Sequence, residues 1–554
     1  MKSPKYTRKI RFKGRSIAIT MICVATIAQC VHSTCAQEVA TPYAVVGVIK
    51  GTYAPQQVSR WMPRPLTPAA AAIPKINGPS VFGVRPHAPF LYAISATGVR
   101  PMEFGAESMP EGLKINKLNG MMTGAISKPG DYQVTLIAKN RLGEARFHLK
   151  VVVGEQLALT PIMGWNSFPV WGNSRYDTDR TLQAAKKLVA LGLDRHGWKY
   201  INLDDGWQGV RGGSNKALQP DLTAFPDMKK LCDDIHDLGL KIGIYSTPWV
   251  MSYAERCGGT SENSNGDWNP SVQWPGKSHP PNINKLPMAI GKYSFATQDA
   301  RQFAEWGFDY LKYDWNPIQL PEVMTMHDAL RKSGRDIILS LSNNHEDTLS
   351  KTIMEVAPHA ESWRTSSDIR DTWESMSGIG FSQEKWSLFQ RPGHYNDPDT
   401  LVVGWMGWGR KLRQTRLLAD EQYTNMSLWC LLSAPLLIGC DLDRMDDFTM
   451  GLLTNDEVIA IDQDPLCKPA SCVTPTGDLK VYVKPLADGT MAVGLFNTGT
   501  TLSSMSIRWK DLGLSGKQHV RDLWRQKDQG EFKEGYTSKV PPHGVKLLKI
   551  SPAS

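Results

Sequence analysis

Acidic residues recur in the middle of this chain directly behind short apolar runs. Tyr200-Ile201-Asn202-Leu203 is followed by Asp204-Asp205-Gly206-Trp207, and Tyr310-Leu311 by Lys312-Tyr313-Asp314-Trp315. Trp363-Arg364 is followed four residues on by Asp368, and Asn396-Asp397-Pro398-Asp399 repeats the theme. Tyr245-Ser246 closes another such run. A buried strand that ends in an acid is costly unless the acid is paired or in use. Taken singly, each fits a helix cap or a structural ion pair. Taken together, carboxylates beside Lys, Arg, Tyr and Trp suit acetal hydrolysis at a sugar. One carboxylate attacks the anomeric carbon, the other protonates the leaving oxygen, and aromatic faces pack on the ring.

Something must bring these segments to one place. Met228, Leu231, Ile235 and Leu238 have helical spacing, Gly239 closes the helix, and the strand Lys241-Ile242-Gly243-Ile244-Tyr245 follows. The phrase recurs in 182–204 around Gly192, in 296–314 around Gly307 and in 322–340 around Gly334. Serial helix–glycine–strand units predict a parallel sheet with right-handed crossovers. Over about 300 residues a (β/α)8 barrel satisfies this, with its active site at the C-terminal strand ends. We assign it to 157–468. Short alternating stretches separated by turn signals predict a β-sandwich at 79–154, and renewed alternation predicts an antiparallel β-sandwich at 470–554. The Pro- and Ala-rich stretch 37–78 reads as a linker or leading segment.

The chain has 554 residues, 41% hydrophobic and 21% charged, which excludes a disordered, collagen-like or polytopic membrane protein. Its formal charge is +9, but seven positive charges lie between Lys2 and Arg15, and no acid precedes Glu38. The remainder carries only +2, too little for a nucleic-acid or anionic-membrane footprint. The basic start, the apolar run Ile17–Ala28 and the small residues up to Ala36 predict a signal peptide over 1–36. The run is too short for the ~20 residues that span a bilayer. Lipid attachment at Cys35 is the lesser alternative, because His32 stands where such a signal usually has Leu. Export would permit disulfides among the six cysteines from Cys232 onward, for example a small loop closed by Cys467 and Cys472. No Cys/His cluster has zinc spacing.

Seven motifs occur in order: MGWNSF (163–168), YINLDDGW (200–207), IGIYS (242–246), FDYLKYDW (308–315), WRTSSDI (363–369), NDPDTLVVG (396–404) and LLSAPLLIG (431–439). Over about 157–465 the chain resembles the melibiase-type retaining α-galactosidases and α-N-acetylgalactosaminidases. RDLWRQKDQG and VPPHGVKLLKI carry the resemblance into the last segment. The stretch 109–143 resembles immunoglobulin-like modules of secreted bacterial glycosidases, which implies a spacer or binding role there.

The resemblance implies a secreted or periplasmic exo-acting hydrolase that needs neither metal nor cofactor, with a terminal α-galactoside as partner. It places the nucleophile at Asp314 and the acid/base at Asp368, with carboxyl groups ~5–5.5 Å apart for retention. It implies that Asp204 and Asp205 hold the 4- and 6-hydroxyls, that Trp165 forms an aromatic wall, that Tyr245 lines the nucleophile and that Asp399 borders the pocket. Lys312 and Arg364 are expected to lower nearby carboxyl pKa values, and Asp368 to lie above Asp314.

Four departures stand out. The segment Leu341-Ser342-Asn343-Asn344-His345 replaces the family's Cys-Glu-Trp. A small Ser342 leaves both a hydroxyl and an acetamide open at the sugar's 2-position. Asn316 occupies the place of the family's cysteine, so Cys257 lacks its usual partner, and Thr400 replaces a common Met. The loop 258–292, with Trp268 and Trp274, is unusually long. The alternatives are an α-N-acetylgalactosaminidase, a β-L-arabinopyranosidase, and a catalytically silent sugar-binding barrel.

Overall fold

A computed structural model describes residues 64–173, 176–267, 288–342, 346–474 and 477–553. The expected signal peptide, most of the leading segment, Trp268, Trp274 and 343–345 lie outside the described residues.

Eight parallel strands form the centre: β1 (Met163–Asn166), β2 (Tyr200–Asn202), β3 (Lys241–Ser246), β4 (Tyr310–Asp314), β5 (Ile338–Ser342), β6 (Ser362–Arg364), β7 (Tyr395–Asp397) and β8 (Leu436–Ile438). They pair in sequence order, and β1 also pairs with β8. A parallel bridge from Leu401, just past β7, to Ile438 closes the ring. Helices return the chain outside it, among them α1 (Thr178–Ala190), α2 (Met228–Asp237), α3 (Ala296–Trp306), α4 (Leu320–Arg331), α5 (Glu346–Val356) and α6 (Trp373–Gly380). The predicted (β/α)8 barrel is present.

Local chemistry explains the units. Asp227 caps α2 by accepting the Lys230 N–H at 2.9 Å. Met228, Leu231, Cys232 and Ile235 bury the inner face of that helix. Gly239 then turns the chain at φ 76°, a conformation that costs a side-chain-bearing residue more, and β3 starts two residues later. Gly307 does the same for α3 and β4 at φ 104°.

Alternation along the strands then aims the site. In β4, Leu311 and Tyr313 are buried against the helices, whereas Tyr310, Lys312 and Asp314 face the barrel interior. A Cβ at Gly243 on β3 would lie 2.2 Å from Asn202 Oδ1, so only glycine fits beside that inward side chain.

The N-terminal module has a four-stranded sheet (Val81–Val84, Gly143–Val153, Gly130–Asn140, Glu103–Glu107 in spatial order) and a three-stranded one. Val134, Leu136, Leu149, Val151 and Met122 fill the space between them. It stands against the N-terminal strand ends, opposite the acids. Arg85 fixes it there. Its Nε donates to Asp336 Oδ1 at 2.6 Å, and its two terminal nitrogens donate to the carbonyls of Arg331 and Arg335, also at 2.6 Å.

The C-terminal unit has a six-stranded antiparallel sheet and a two-stranded pair, as predicted. Helix α7 (Ala419–Leu432) lies between it and the barrel, so Glu421 through Leu432 are all buried. Among the described residues no helix is long and apolar enough to cross a membrane.

The expected disulfides are absent: all six cysteines from Cys232 onward are free thiols. Cys467 turns inward instead, with Sγ 3.2 Å from the Leu159 carbonyl and 3.3 Å from the Tyr395 hydroxyl. Cys472 pairs along the backbone with Tyr482. Cys257 is buried and unpaired.

Candidate active site

At the C-terminal end of the barrel a cavity of about 210 Å³ gathers Asp204, Asp205, Tyr245, Lys312, Asp314, Ser342, Arg364, Asp368 and Asp399. Nine of the ten residues expected to bind or react thus share one pocket.

Trp165 does not line it. The tryptophan is 1% exposed, gives its indole N–H to the Cys440 carbonyl at 2.8 Å and packs edge-on against Trp171. Parity along β1 is the reason. Asn166, one residue on, faces the interior, so Trp165 faces the helices. Beyond Tyr245 and Tyr310, the aromatic lining comes from Phe168, which opens a single helical turn after β1, and from Tyr253 and Trp408 on loops, which carry no periodic signal. Sequence reasoning also missed Asn166 and Asp397. The alternation of β1 and β7 would have found both.

Each acid has its own surroundings. Asp204 Oδ2 accepts from Lys312 Nζ at 2.7 Å and from Asn166 Nδ2 at 3.0 Å. Asp205 accepts from the Ala254 N–H at 2.7 Å and from Gln208 Nε2 at 3.0 Å. Burial still pushes Asp205 up to about 6. Arg364 Nη2 lies 2.7 Å from Asp399 Oδ2 and 3.4 Å from Asp368 Oδ1. Asp399 Oδ2 also accepts the Ile369 N–H at 3.0 Å, which ties the segment carrying Asp368 to the end of β7. Further along, the buried Asp371 is gripped by Arg413 and Arg416.

Asp314 is 4% exposed, and its Oδ1 has no hydrogen-bond partner among the described residues. Burial pushes its carboxyl up to about 7; Lys312 opposes this, while Asp204, Asp368 and Asp205 add to it. Asp368 is 44% exposed along its side chain. Burial works against its charge, but Arg364, Lys312 and Arg370 outweigh that and hold it below the ordinary carboxylate value. Lys312 stays a cation because Asp204 and Asp314 overcome its burial.

This order reverses the sequence expectation that Asp368 would titrate above Asp314. The physical cause is that Lys312 is committed to Asp204, leaving the nucleophile candidate desolvated, while the arginines gather on Asp368. The two acids interact, so the proton belongs to the pair.

The raised carboxyls have a consequence for stability. Asp314 (about 7), Asp205 (about 6) and Asp397 (about 6) all lie above their ordinary 3.8. Between about pH 4 and 7 the folded state therefore binds more protons than the unfolded chain, and stability falls as pH rises. Each raised unit costs about 1.4 kcal/mol once the group is ionised. Asp314→Asn should melt higher than wild type at pH 8, with the difference closing toward pH 4. Equal melting temperatures at pH 8 would contradict the assignment.

Among the described residues no group of three or more His, Cys, Asp or Glu side chains is arranged to hold a metal ion.

Comparisons with known proteins agree with this architecture. A family model described as α-galactosidase A matches residues 173–274 and 286–464, and one for the α-galactosidase C-terminal β-sandwich domain matches 476–550. The chain is 35% identical to α-galactosidase 2 of Arabidopsis thaliana over 414 residues, 73% of this chain and 93% of that protein. A crystal structure from Bacteroides fragilis, described as that of a "putative alpha-galactosidase", superposes with a TM-score of 0.75 at 30% identity, covering 87% of this chain and 99% of that one. A β-L-arabinopyranosidase of glycoside hydrolase family 27 from Geobacillus stearothermophilus gives 0.61 at 28% identity, covering 72% of this chain and 97% of that one. The chain belongs to the melibiase-type, α-galactosidase A family of glycoside hydrolases.

Proposed function

We propose that the protein is a retaining exo-glycosidase that removes terminal α-D-galactosyl residues. The observation that carries this reading is the placement of Asp314 and Asp368 in one pocket at the barrel mouth, with Lys312 and Arg364 beside them.

In the first step a carboxylate oxygen of Asp314 attacks the anomeric carbon. The glycosidic C–O bond breaks, and Asp368 gives its proton to the departing oxygen. In the second step water attacks the same carbon, Asp368 takes the water's proton, and the bond to Asp314 breaks. Two inversions leave the α-configuration unchanged. The pair must hold one proton on Asp368 and one charge on Asp314 before attack. A bound galactoside favours that distribution, since positive charge growing at the anomeric carbon stabilises the Asp314 carboxylate while the glycosidic oxygen accepts from Asp368. Asp204, Asp205 and Lys312 supply hydroxyl partners on the buried side of the ring.

Proton NMR of a nitrophenyl α-galactoside reaction tests the reading. α-Galactose should appear first and mutarotate afterwards. No turnover, or β-galactose first, would overturn it. Parallel assays with the α-N-acetylgalactosaminide and the β-L-arabinopyranoside decide between the sugars that Ser342 leaves open at the 2-position and those differing at C6. We also propose that residues 1–36 direct export, on the strength of their charge and apolar pattern.

A further inference from the structure

A second cavity, of about 260 Å³, lies on the catalytic face beside the first. One partition separates them. The Pro169 carbonyl accepts the N–H groups of Gly407 and Trp408, each at 2.8 Å, and the Val170 carbonyl accepts that of Gly409 at 3.3 Å. Phe168, Pro169 and Trp408 face the catalytic pocket; Val170, Trp171 and Gly409 face the other. The wall is thin: a Cβ at Gly172 would lie 2.8 Å from the Gly409 Cα.

The chemistry of this second pocket suits a sugar. Trp171 is half-buried, backed edge-on by Trp165 at 5.0 Å, and its indole N–H meets no acceptor among the described residues. Gln183 on α1 and Arg410 past the partition are exposed, and their side chains have no polar partner among the described residues. The other charges of the lining each have an opposite partner: Lys187 lies 3.6 Å from Asp443, Asp441 3.7 Å from Arg444 and Arg180 3.9 Å from Asp177. Paired charges do not select an ion. Hydroxyl groups, which donate and accept at once, can use both signs together with an amide and an indole N–H.

We propose that this pocket is a second carbohydrate site, holding a neutral sugar unit of the same glycan whose terminal residue enters the catalytic pocket. The proposal rests on the α-galactosidase reading and deepens it: the preferred substrate is a galactoside large enough to cross the partition. A nitrophenyl galactoside fills only the first pocket, whereas a polymer reaches both.

The test compares nitrophenyl α-galactoside with galactomannan for wild type, Trp171→Ala and the double variant Gln183→Ala/Arg410→Ala. The double variant should raise the apparent KM for galactomannan at least tenfold and leave kcat and KM for the nitrophenyl substrate unchanged. Trp171→Ala should act in the same direction on the polymer. Parallel changes on both substrates, or none on either, would overturn the proposal. Calorimetric titration with manno-oligosaccharides reads the site without turnover: wild type should bind and the double variant should not. Absence of binding to wild type overturns the second site, whereas failure to cleave either substrate strikes at the α-galactosidase reading alone.

Discussion

Asp314→Asn should lower turnover of an α-galactoside by on the order of 10⁴-fold or more, the scale set by removing a covalent nucleophile. The change is nearly isosteric, so Asp204, Asp205 and Arg364 keep their geometry and galactose affinity should survive. That combination separates a catalytic loss from a folding defect, because the variant should also melt higher at pH 8. A smaller variant adds a chemical signature. Asp314→Gly leaves room for azide at the face the carboxylate occupied, and a single inversion there gives β-galactosyl azide. If Asp314→Asn keeps a tenth of wild-type activity, the nucleophile is elsewhere.

Asp368→Asn should behave differently because its role depends on the leaving group. For an oligosaccharide, whose departing oxygen needs a proton, kcat should fall by ~10²–10⁴-fold, the usual worth of a general acid. For a dinitrophenyl galactoside, which leaves unaided, the first step should be nearly spared. The pH profile provides a second readout. In wild type, kcat/KM should fall above about pH 7, where the pair loses its shared proton. Asp368 is one of the negative charges that raise Asp314. Removing it should lower the Asp314 pKa, so in the variant the acid limb moves down and the alkaline limb disappears. An unchanged alkaline limb in Asp368→Asn would assign the proton to another group. Asp368 can serve because its segment is held at two points, by Ile369 on Asp399 and by Asp371 on Arg413 and Arg416.

Much of this is legible in the sequence alone. The barrel announced itself through the repeated helix–glycine–strand phrase, since amphipathic spacing, a left-handed stop and an apolar strand are each local requirements. Helix α3 spans Ala296–Trp306 and β4 spans Tyr310–Asp314, the bounds their spacing predicts. Strand-terminal acids could be placed because a parallel barrel sends every strand end to one face. What failed was what depends on non-local arrangement. The expectation for Trp165 is off by one step of parity, although the alternation of Gly164, Trp165 and Asn166 holds the answer. Phe168 on its single helical turn, and Tyr253 and Trp408 on loops, follow paths set by partners far along the chain, as the Pro169 contacts with Gly407 and Trp408 show. The order of the two catalytic pKa values is the reverse of the sequence expectation because it depends on which acid each cation touches. Sequence names Lys312 and Arg364, but only the fold commits the first to Asp204 and the second to Asp399 and Asp368.

The Arg85 anchorage bears on how this enzyme can be re-engineered. The N-terminal module is no cassette on a tether, free to be traded for another. Its Val81, Phe82 and Leu91 share a cavity of about 130 Å³ with Ile162, Tyr200 and Ile338 of the barrel underside. A trimmed barrel would present that oily patch to solvent and strip Asp336 of its counter-charge. Grafts should therefore cut upstream of the module and carry it along as part of the catalytic body.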